Sequence, residues 1–452
     1  MSEGIRQSGT LGQVIKKLLP QGKTTVFKAQ LRILPSVAFI SAFLNNTPVV
    51  VIFAPIIKHW AKSVNLPATK FLIPLSYVTI LGGICTLIGT STNLVVHGMI
   101  LEAGFEGFSM FELGKVGIFI AIAGIIYIFL FSKRLLPDAR PDTAVPDEEV
   151  EEGEKLHRVE AVLGARFPGI NKKLKDFNFQ RHYGAEVKEI KTRNGQRFVT
   201  NLDDVVLHEG DTLVVMADDT FIPTWGESSV FVLLTNGNEP DTTGKKKRWF
   251  ALLLLVLMIV GATVGELPIT KEMFPGIKLD MFFFVSITTI IMAWTNLFPA
   301  RKYTKYISWD ILITIACAFA ISKAMVNSGV ADSVAKFIIG LSDDYGPHVL
   351  LAMLFIITNL FTELITNNAA AALAFPLALS IASQLGVSPT PFFVVICMAA
   401  SASFSTPIGY QTNLIVQGIG NYKFTDFVRI GLPLNIITFL ISIILIPLIW
   451  NF

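Results

Sequence analysis

Charged residues are scarce in this sequence. Only 16% of its 452 residues are Asp, Glu, Lys or Arg, whereas 52% are hydrophobic, and the mean hydropathy is +0.58. Soluble domains usually carry about 25% charged residues, so most of this chain is expected to lie in lipid. The formal net charge of +3 is also too small to indicate a nucleic acid as a partner.

Cysteine and the signatures of catalysis are scarce as well. Cys85, Cys317 and Cys397 lie in apolar segments, where cysteine behaves as a small buried hydrophobe rather than as a disulfide partner or metal ligand. The sequence has no evident Ser/His/Asp arrangement, metal-ligand cluster or glycine-rich phosphate loop. We therefore predict a protein that is not an enzyme and uses no organic cofactor.

Long apolar runs, in contrast, are abundant. A helix needs about 20 apolar residues to cross roughly 30 Å of hydrocarbon. Uninterrupted runs lie near residues 71–88, 114–132, 249–265, 280–299 and 428–451. Runs near 33–57, 349–384 and 389–416 are interrupted by Asn, Thr, Pro or Gly. The pattern predicts an all-α polytopic protein of the cell membrane (inner or plasma), surrounded by lipid.

A polar segment separates two apolar halves. It contains strand-like stretches from Phe198 to Met216 and an Asn194-Gly195 pair, which favours a β-hairpin. These features indicate a small soluble α/β insert. The predicted domains are a first apolar half, an acidic linker, a soluble module, a second linker and a second apolar half, at residues 1–137, 138–153, 154–222, 223–248 and 249–452.

The two apolar halves contain one pattern twice. Residues 41–55 align with 362–376 at an offset of 321 (362 − 41), and residues 86–98 align with 406–418 at an offset of 320 (406 − 86). Two matches at nearly one offset indicate an internal repeat.

The first copy is expected to be incomplete. Ser2–Gly9 resembles Ser322–Gly329, again at an offset of 320 (322 − 2). Apolar segments precede the second of these matches but not the first. The repeat therefore predicts that the first half lacks its N-terminal helices.

The distribution of basic residues predicts that the two copies are inverted. Residues 337–422, around the second interrupted hairpin, contain no Lys or Arg, and basic residues favour the cytoplasmic side. The first hairpin is therefore expected to enter from the cytoplasm, the second from outside, and the insert to be cytoplasmic. Inverted repeats with broken helices are typical of secondary transporters. The basic residues around the first hairpin are Lys16, Lys17, Lys23, Lys28, Arg32, Lys58, Lys62 and Lys70.

The interruptions are rich in amide and hydroxyl groups. Non-helical backbone within a bilayer must be satisfied by protein, water or ligand. Oxygens of this kind can coordinate Na⁺, and helices that begin after an interruption direct N–H groups toward an anion. One such residue alone is more simply a helix cap, but the doubled set favours binding. The set comprises Asn45, Asn46, Thr47, Thr90, Ser91, Thr92, Asn93, Thr366, Asn367, Asn368, Thr406, Gly409, Tyr410, Thr412 and Asn413.

The tips Asn45-Asn46-Thr47 and Thr366-Asn367-Asn368, with the breaks at Gly89 and Gly409, resemble those of the divalent-anion:sodium symporter family (DASS, solute carrier family 13). The resemblance implies re-entrant hairpins, broken helices, a homodimer and an elevator motion. It implies one sodium site at Asn45, Asn46 and Gly89, and another at Thr366, Asn367 and Gly409. It places Asn46, Thr47, Thr90, Asn367, Asn368 and Tyr410 against the substrate.

Departures from the family pattern bear on the substrate. Tyr410 stands where the family has a small hydroxyl residue, which would shrink the pocket and favour an anion smaller than citrate. The stretch Leu207–Val215 resembles the end of TrkA-C (RCK C-terminal) domains, which implies either a regulatory ligand or a purely structural module. Members with such an insert resemble sulfate permeases, so sodium-coupled symport of sulfate is favoured over dicarboxylates.

Other functions stay open. An arsenite-type permease or a sodium/proton antiporter is an alternative. An antiporter would need buried carboxylates near the midplane, for which Glu363 is the candidate, although this carboxylate is more simply explained by a hydrogen bond to a neighbouring helix. A TrkA-C-regulated cation channel subunit would need a filter loop of the Thr-Val-Gly type. Asn93, Thr406, Asn413 and Glu363 are therefore secondary candidates for the site.

Overall fold

A computed structural model describes most of the chain. The described residues are 10–138, 156–164, 166–192, 196–218, 220–226, 228, 230–235, 245–265, 268–273, 279, 281–297, 307, 309–340 and 346–452. The Ser2–Gly9 match, most of the acidic linker and the Asn194-Gly195 turn lie outside them.

The first apolar half is helical where it is described. Its helices are Thr10–Leu18 (α1), Val26–Ser41 (α2), Asn46–Ser63 (α3), Leu72–Gly83 (α4), Ser91–Glu102 (α5) and Gly114–Leu135 (α6), with a 3-10 turn at Ala68–Lys70. The apolar run 71–88 is helical only as far as Gly83. Beyond Gly83 the chain leaves the helix and turns. The Thr86 hydroxyl there donates a hydrogen bond to the Ala42 carbonyl.

The polar insert folds around a five-stranded antiparallel sheet. Its strands are His157–Leu163 (β1), Glu186–Lys191 (β2), Arg197–Phe198 (β3), Thr212–Ala217 (β4) and Phe231–Thr235 (β5), in the order β3-β2-β4-β1-β5. Short helices lie at Phe179–Tyr183 (α7) and Phe221–Trp225 (α8), with 3-10 turns at Leu174–Asp176 and Leu202–Asp204. Strand β5 lies beyond residue 222, the last residue of the module expected from the sequence.

The insert has a hydrophobic core of its own. One face of the sheet packs on a cluster of aromatic rings, with Phe167 and Phe177 at 4.9 Å and Tyr183 and Phe231 at 5.2 Å between ring centroids. Strand β4 is almost entirely buried because β1 and β2 flank it. Strands buried in this way read in the sequence as continuous apolar runs.

The second apolar half contains ten described helices. They are Lys245–Gly265 (α9), Pro268–Met273 (α10), Met281–Trp294 (α11), Trp309–Asn327 (α12), Val330–Gly340 (α13), Gly346–Leu364 (α14), Asn367–Leu385 (α15), Thr390–Ser401 (α16), Gln411–Gly420 (α17) and Phe424–Ile449 (α18).

The two halves are packed into one another. Helix α3 packs on α17, α15 packs on α5, and α6 packs on α18, so that each contact joins one half to the other. Among the described helices, four are long and apolar enough to cross a membrane: Gly114–Leu135, Gly346–Leu364, Asn367–Leu385 and Phe424–Ile449. Shorter apolar helices accompany them. The mostly helical, apolar architecture fits the polytopic membrane protein expected from the sequence.

An ion pair joins the insert to the first half. The Lys58 ammonium lies 3.0 and 3.1 Å from the two carboxylate oxygens of Glu160, and Lys191 lies 3.4 Å from the same carboxylate. Burial raises the pKa of Glu160, but the neighbouring Lys58, Lys191 and Arg158 outweigh it and lower the pKa from 4.5 to about 2. A carboxylate this well compensated stabilises the folded state as an anion.

We predict that Glu160→Gln destabilises the protein. Because the pKa of Glu160 is lower in the folded state, its stabilisation is fully present above pH 4.5 and is lost as the pH falls toward 2. The shift corresponds to roughly 3 kcal/mol, so the thermal midpoint in detergent at pH 7 should fall by roughly 3–6 °C. Glu186→Gln, at an exposed glutamate paired with Lys188, is the control and should leave the midpoint unchanged. Equal midpoints for both variants would contradict the prediction.

Candidate functional site

Four helices begin at the interruptions that the sequence singled out. Helix α3 begins at Asn46 and α15 at Asn367, directly after the two hairpin turns, and α5 and α17 begin after the two breaks. Thr90 and Tyr410, which precede α5 and α17, have nearly the same extended backbone, with φ of −137° and −132°. Helix N-termini carry unsatisfied N–H groups and a partial positive charge.

The Tyr410 hydroxyl lies at the centre of the site. The side-chain amide of Asn46 donates a hydrogen bond to it at 2.6 Å, and the Thr90 hydroxyl lies 3.0 Å away. The Asn367 side chain also interacts with this hydroxyl. Four residues expected to face a substrate, Asn46, Thr90, Asn367 and Tyr410, thus meet around one oxygen atom.

Each hairpin tip also contacts the break of the other half. The Thr47 hydroxyl donates to Gln411 Oε1 at 3.3 Å, and the Ser91 and Thr92 hydroxyls each donate to Asn368 Oδ1 at 3.3 Å. Thr47 corresponds to Asn368 by the repeat offset of 321 (368 − 47), and Ser91 corresponds to Gln411 by 320 (411 − 91). The tip of each half therefore contacts the break of the other half, and the residues of one contact are the repeat equivalents of those of the other.

Hydroxyl groups orient the tip amides from behind. The Ser41 hydroxyl donates to Asn46 Oδ1 at 2.7 Å, and the Thr362 hydroxyl donates to Asn367 Oδ1 at 2.9 Å. Ser41, Thr362 and Gln411 were not among the residues predicted for the site. The signal was available, since residues 41 and 362 are the first pair of the aligned repeat.

The secondary candidates hold the backbone of the two breaks. The side-chain amide of Asn93 donates to the Thr86 carbonyl at 2.9 Å, and that of Asn413 donates to the Thr406 carbonyl at 3.1 Å. The Thr406 hydroxyl donates to the Glu363 carbonyl at 3.0 Å, matching the bond from Thr86 to Ala42. These side chains satisfy backbone that would otherwise lack partners in an apolar environment.

Glycine permits oxygen atoms to approach both breaks closely. A Cβ added at Gly89 would lie 2.5 Å from the Gly83 carbonyl oxygen and 3.0 Å from that of Ala42. At Gly409 a Cβ would meet the Ser403 hydroxyl and the Thr362 carbonyl oxygen. Carbonyl and hydroxyl oxygens are the ligands that hard cations prefer. Both glycines are the ones expected at sodium sites.

Asn45 and Thr366 have a different role in this conformation. The Asn45 side chain accepts a hydrogen bond from the Thr47 N–H, and the Thr366 side chain accepts one from the Ala369 N–H, both at 3.4 Å. They cap the helices that begin after the tips, as Asn and Thr commonly do.

Glu363 lies in the last turn of α14 and hydrogen-bonds residues next to the second break. Its Oε1 accepts hydrogen bonds from the Ser405 N–H at 2.8 Å and from the Asn435 side-chain amide at 2.7 Å. Asn435 belongs to α18, so the carboxylate ties the second hairpin to the last helix. The corresponding position in the first half is Ala42, which has no such side chain.

The side chains that contact the tips are all uncharged, being those of Ser, Thr, Tyr, Asn and Gln. Within the described part of the chain there is no group of three or more His, Cys, Asp or Glu that could hold a metal ion. The donor set suits a weakly bound hard cation rather than a tightly held transition metal.

A cavity of about 700 Å³ reaches the second tip from the insert. Its lining includes Leu364 and Thr366 of the second hairpin, Ile408 of the second break, Gln417 of α17 and Glu209 of the insert. The cavity therefore lies between the polar insert and the tip that holds Asn367.

Comparison with known proteins places this architecture in a family. A family model described as a citrate transporter matches residues 1–384 and 277–452. The chain belongs to the citrate transporter family. Its relatives include an uncharacterized transporter of Synechocystis, which is 30% identical over the whole of this chain and 87% of the relative.

Two other relatives of the family carry more specific names. The probable sodium/sulfate cotransporter 3 of Chlamydomonas reinhardtii is 33% identical over 62% of this chain and 31% of its own length. The Na⁺/citrate cotransporter of Rattus norvegicus is 29% identical over 29% of this chain and 23% of its own length. These matches support the resemblance to the divalent-anion:sodium symporters, and with the apolar helices they identify an integral membrane transporter.

We predict that Glu363 stabilises the second break through hydrogen bonding. Glu363→Ala removes the acceptor and leaves the Ser405 N–H and the Asn435 amide with one fewer partner, which should cost roughly 2–4 kcal/mol. Glu363→Gln keeps an acceptor oxygen and should be destabilised by less than half as much. The measurement is the thermal midpoint of the purified protein in detergent, with unfolding monitored by the fluorescence of a thiol-reactive or other dye. An Ala variant as stable as the Gln variant would refute this role.

Proposed function

We propose that the protein is a sodium-coupled symporter of a small divalent anion. The observation that carries the proposal is the meeting of both hairpin tips and both breaks around the Tyr410 hydroxyl. Each contributing side chain is polar and uncharged, and each lies at or next to a helix N-terminus. Such a cluster can bind an anion by N–H groups, amides and hydroxyls without a basic residue.

Sodium is proposed to supply the positive charge that the site's own side chains lack. A divalent anion surrounded by neutral groups in a low-dielectric region is poorly compensated. The oxygens beside Gly89 and Gly409 lie directly behind the two tips, so cations bound there would sit close to the anion. We assign Asn45, Asn46 and Gly89 to one carried sodium ion and Thr366, Asn367 and Gly409 to the other. Coupling then follows because anion and cations stabilise one another in the same site.

The repeat is proposed to be inverted, with both hairpins re-entrant. Helix α2 has 16 residues and would extend about 24 Å, less than the roughly 30 Å of hydrocarbon. The matched hydrogen bonds of Ser41 and Thr362, Thr86 and Thr406, and Asn93 and Asn413 support a common design for residues 1–137 and 249–452. On this assignment the protein works as a homodimer by an elevator motion, with the insert in the cytoplasm.

We propose sulfate, rather than a dicarboxylate, as the substrate. The Tyr410 side chain occupies the space between the two tips, which leaves room for a compact anion. A relative named as a sodium/sulfate cotransporter supports this choice, whereas one named as a Na⁺/citrate cotransporter supports the broader class. The insert is proposed to be a TrkA-C-like regulatory module.

We predict that sulfate uptake into proteoliposomes requires a sodium gradient and both tip amides. Uptake of radiolabelled sulfate should be blocked by unlabelled sulfate and not by succinate. Asn46→Ala and Asn367→Ala should each raise the half-saturating sodium concentration at least about tenfold, since each removes a hydrogen-bonding group worth about 1–3 kcal/mol. Gln180→Ala, at an exposed position of the insert, is the control and should transport normally.

The uptake experiment also tests the competing functions. Competition by succinate would move the substrate to dicarboxylates and retain the sodium-coupled mechanism. Sodium-dependent uptake unaffected by either tip substitution would show that the pocket is wrongly placed. Proton movement in exchange for sodium, without anion uptake, would replace the symporter with an antiporter.

We predict that Tyr410 limits the size of the anion. Tyr410→Ser shortens the side chain while keeping a hydroxyl, and should allow succinate to compete with sulfate. Tyr410→Phe keeps the size but removes the partner of Asn46 and Thr90, so it should weaken sulfate binding about tenfold without admitting succinate. The measurement is inhibition of labelled sulfate uptake by each unlabelled anion. An unchanged preference in Tyr410→Ser would contradict the role of this residue.

A further inference from the structure

The insert contacts both halves of the membrane region, through helix α3 of the first half and helix α17 of the second. Lys58, which pairs with Glu160 of β1, lies near the end of helix α3, about three turns beyond the tip residue Asn46. Strand β1 also packs on α17, whose first residues follow Tyr410. Helices α3 and α17 pack on each other. The insert therefore contacts α3 near its C-terminal end and α17 from Leu414 to Gly418, and the N-terminal ends of both helices form the site.

The contact with α17 is close. A Cβ at Gly418 would lie 2.5 Å from the Thr212 hydroxyl oxygen, 3.4 Å from a methyl group of Val162 and 3.5 Å from the Gly210 carbonyl oxygen. On the insert side, Gly210 has a φ of +85° and faces the Leu414 side chain. The two backbones thus meet at glycines, one of which adopts a conformation that other residues rarely tolerate.

The ionic contact with α3 is largely shielded from water. The side chain of Glu160 is 16% exposed and that of Lys58 is 21% exposed. Removing one partner of such a pair leaves a poorly solvated charge. Separation of the insert from α3 is therefore unfavourable. A surface that docked only transiently would be expected to be wetter and less closely packed.

We infer that the insert is a permanent part of the substrate-binding unit and positions its two helices. It holds the ends of α3 and α17 at a defined separation, and since helices are stiff over two or three turns, it thereby fixes Asn46 against Tyr410. Lys58 and Glu160 act as positioning residues at the end remote from the anion. Glu209 of the insert also lines the cavity beside Thr366. This inference rests on the proposed transport function.

A disulfide between the insert and α17 tests whether the two stay together. The pair Thr212→Cys and Gly418→Cys is chosen because a Cβ added at Gly418 would lie against the Thr212 side chain. The three native cysteines are replaced in this background so that no other disulfide can form. The oxidised protein should take up labelled sulfate at a rate within about twofold of the reduced protein. Loss of uptake on oxidation, recovered on reduction, would show that the insert must separate during transport and would overturn the inference.

Substitutions at Lys58 test the positioning role. Lys58→Gln should raise the half-saturating sulfate concentration at least threefold with little change in maximal rate. The protein should still fold, but helix α3 would position Asn46 less precisely. Lys58→Arg keeps the ion pair and should restore the normal value. Lys62→Gln, one turn further along α3 at an exposed position, is the matched control. Identical sulfate dependence in Lys58→Gln and Lys62→Gln would overturn the positioning role.

The outcome separates this inference from the proposed function. If the unsubstituted protein takes up no anion, the proposed function fails. The docking is then judged by the yield of the disulfide in membranes, measured by mobility on a denaturing gel. A disulfide that forms rapidly and nearly completely supports the fixed contact, and failure to form it rejects the contact itself.

Discussion

The structure depends on satisfying polar backbone where helices stop inside an apolar protein. Each hairpin turn and each break exposes carbonyl and amide groups that water would otherwise pair, and an unpaired group in such surroundings costs about 1–3 kcal/mol. The chain meets this requirement with its own side chains. Thr86 and Thr406 bond the carbonyls of Ala42 and Glu363, and Asn93 and Asn413 bond the breaks themselves. The side chains of the two tips bond instead to one another's half, chiefly through the Tyr410 hydroxyl and through Gln411, Ser91 and Thr92.

The near-symmetry of the two halves makes their differences informative. At the breaks, Thr90 in the first half corresponds to Tyr410 in the second, and this one larger side chain reaches both tips. Behind the tips, Ala42 corresponds to Glu363, which binds the second break to α18. The first difference alters the space offered to a ligand, and the second alters how firmly one break is held. The two halves thus differ in the residue that lies between the tips and in the way one break is held.

The insert lies between the halves in the sequence and joins them in space. Its sheet has its own aromatic core, yet strand β1 contacts α3 of the first half and α17 of the second. Because those helices end at the site, a change in the insert has a short mechanical route to the tips. A regulatory ligand, if the insert binds one, would need only to alter the separation of two helix ends.

The sequence by itself determined the elements of this protein. The interrupted apolar runs and the offset of about 320 residues identified both hairpin tips and both breaks, because helix periodicity and turn chemistry are local properties. The structure alone decided which of these groups meet. Asn46 and Tyr410 are 364 positions apart, and Thr47 and Gln411 likewise, so their contact depends on how α3 packs against α17. The ion pair between Lys58 and Glu160 and the backing hydroxyls of Ser41 and Thr362 were decided in the same way, because partners across separate elements are chosen by packing, which residue spacing does not encode.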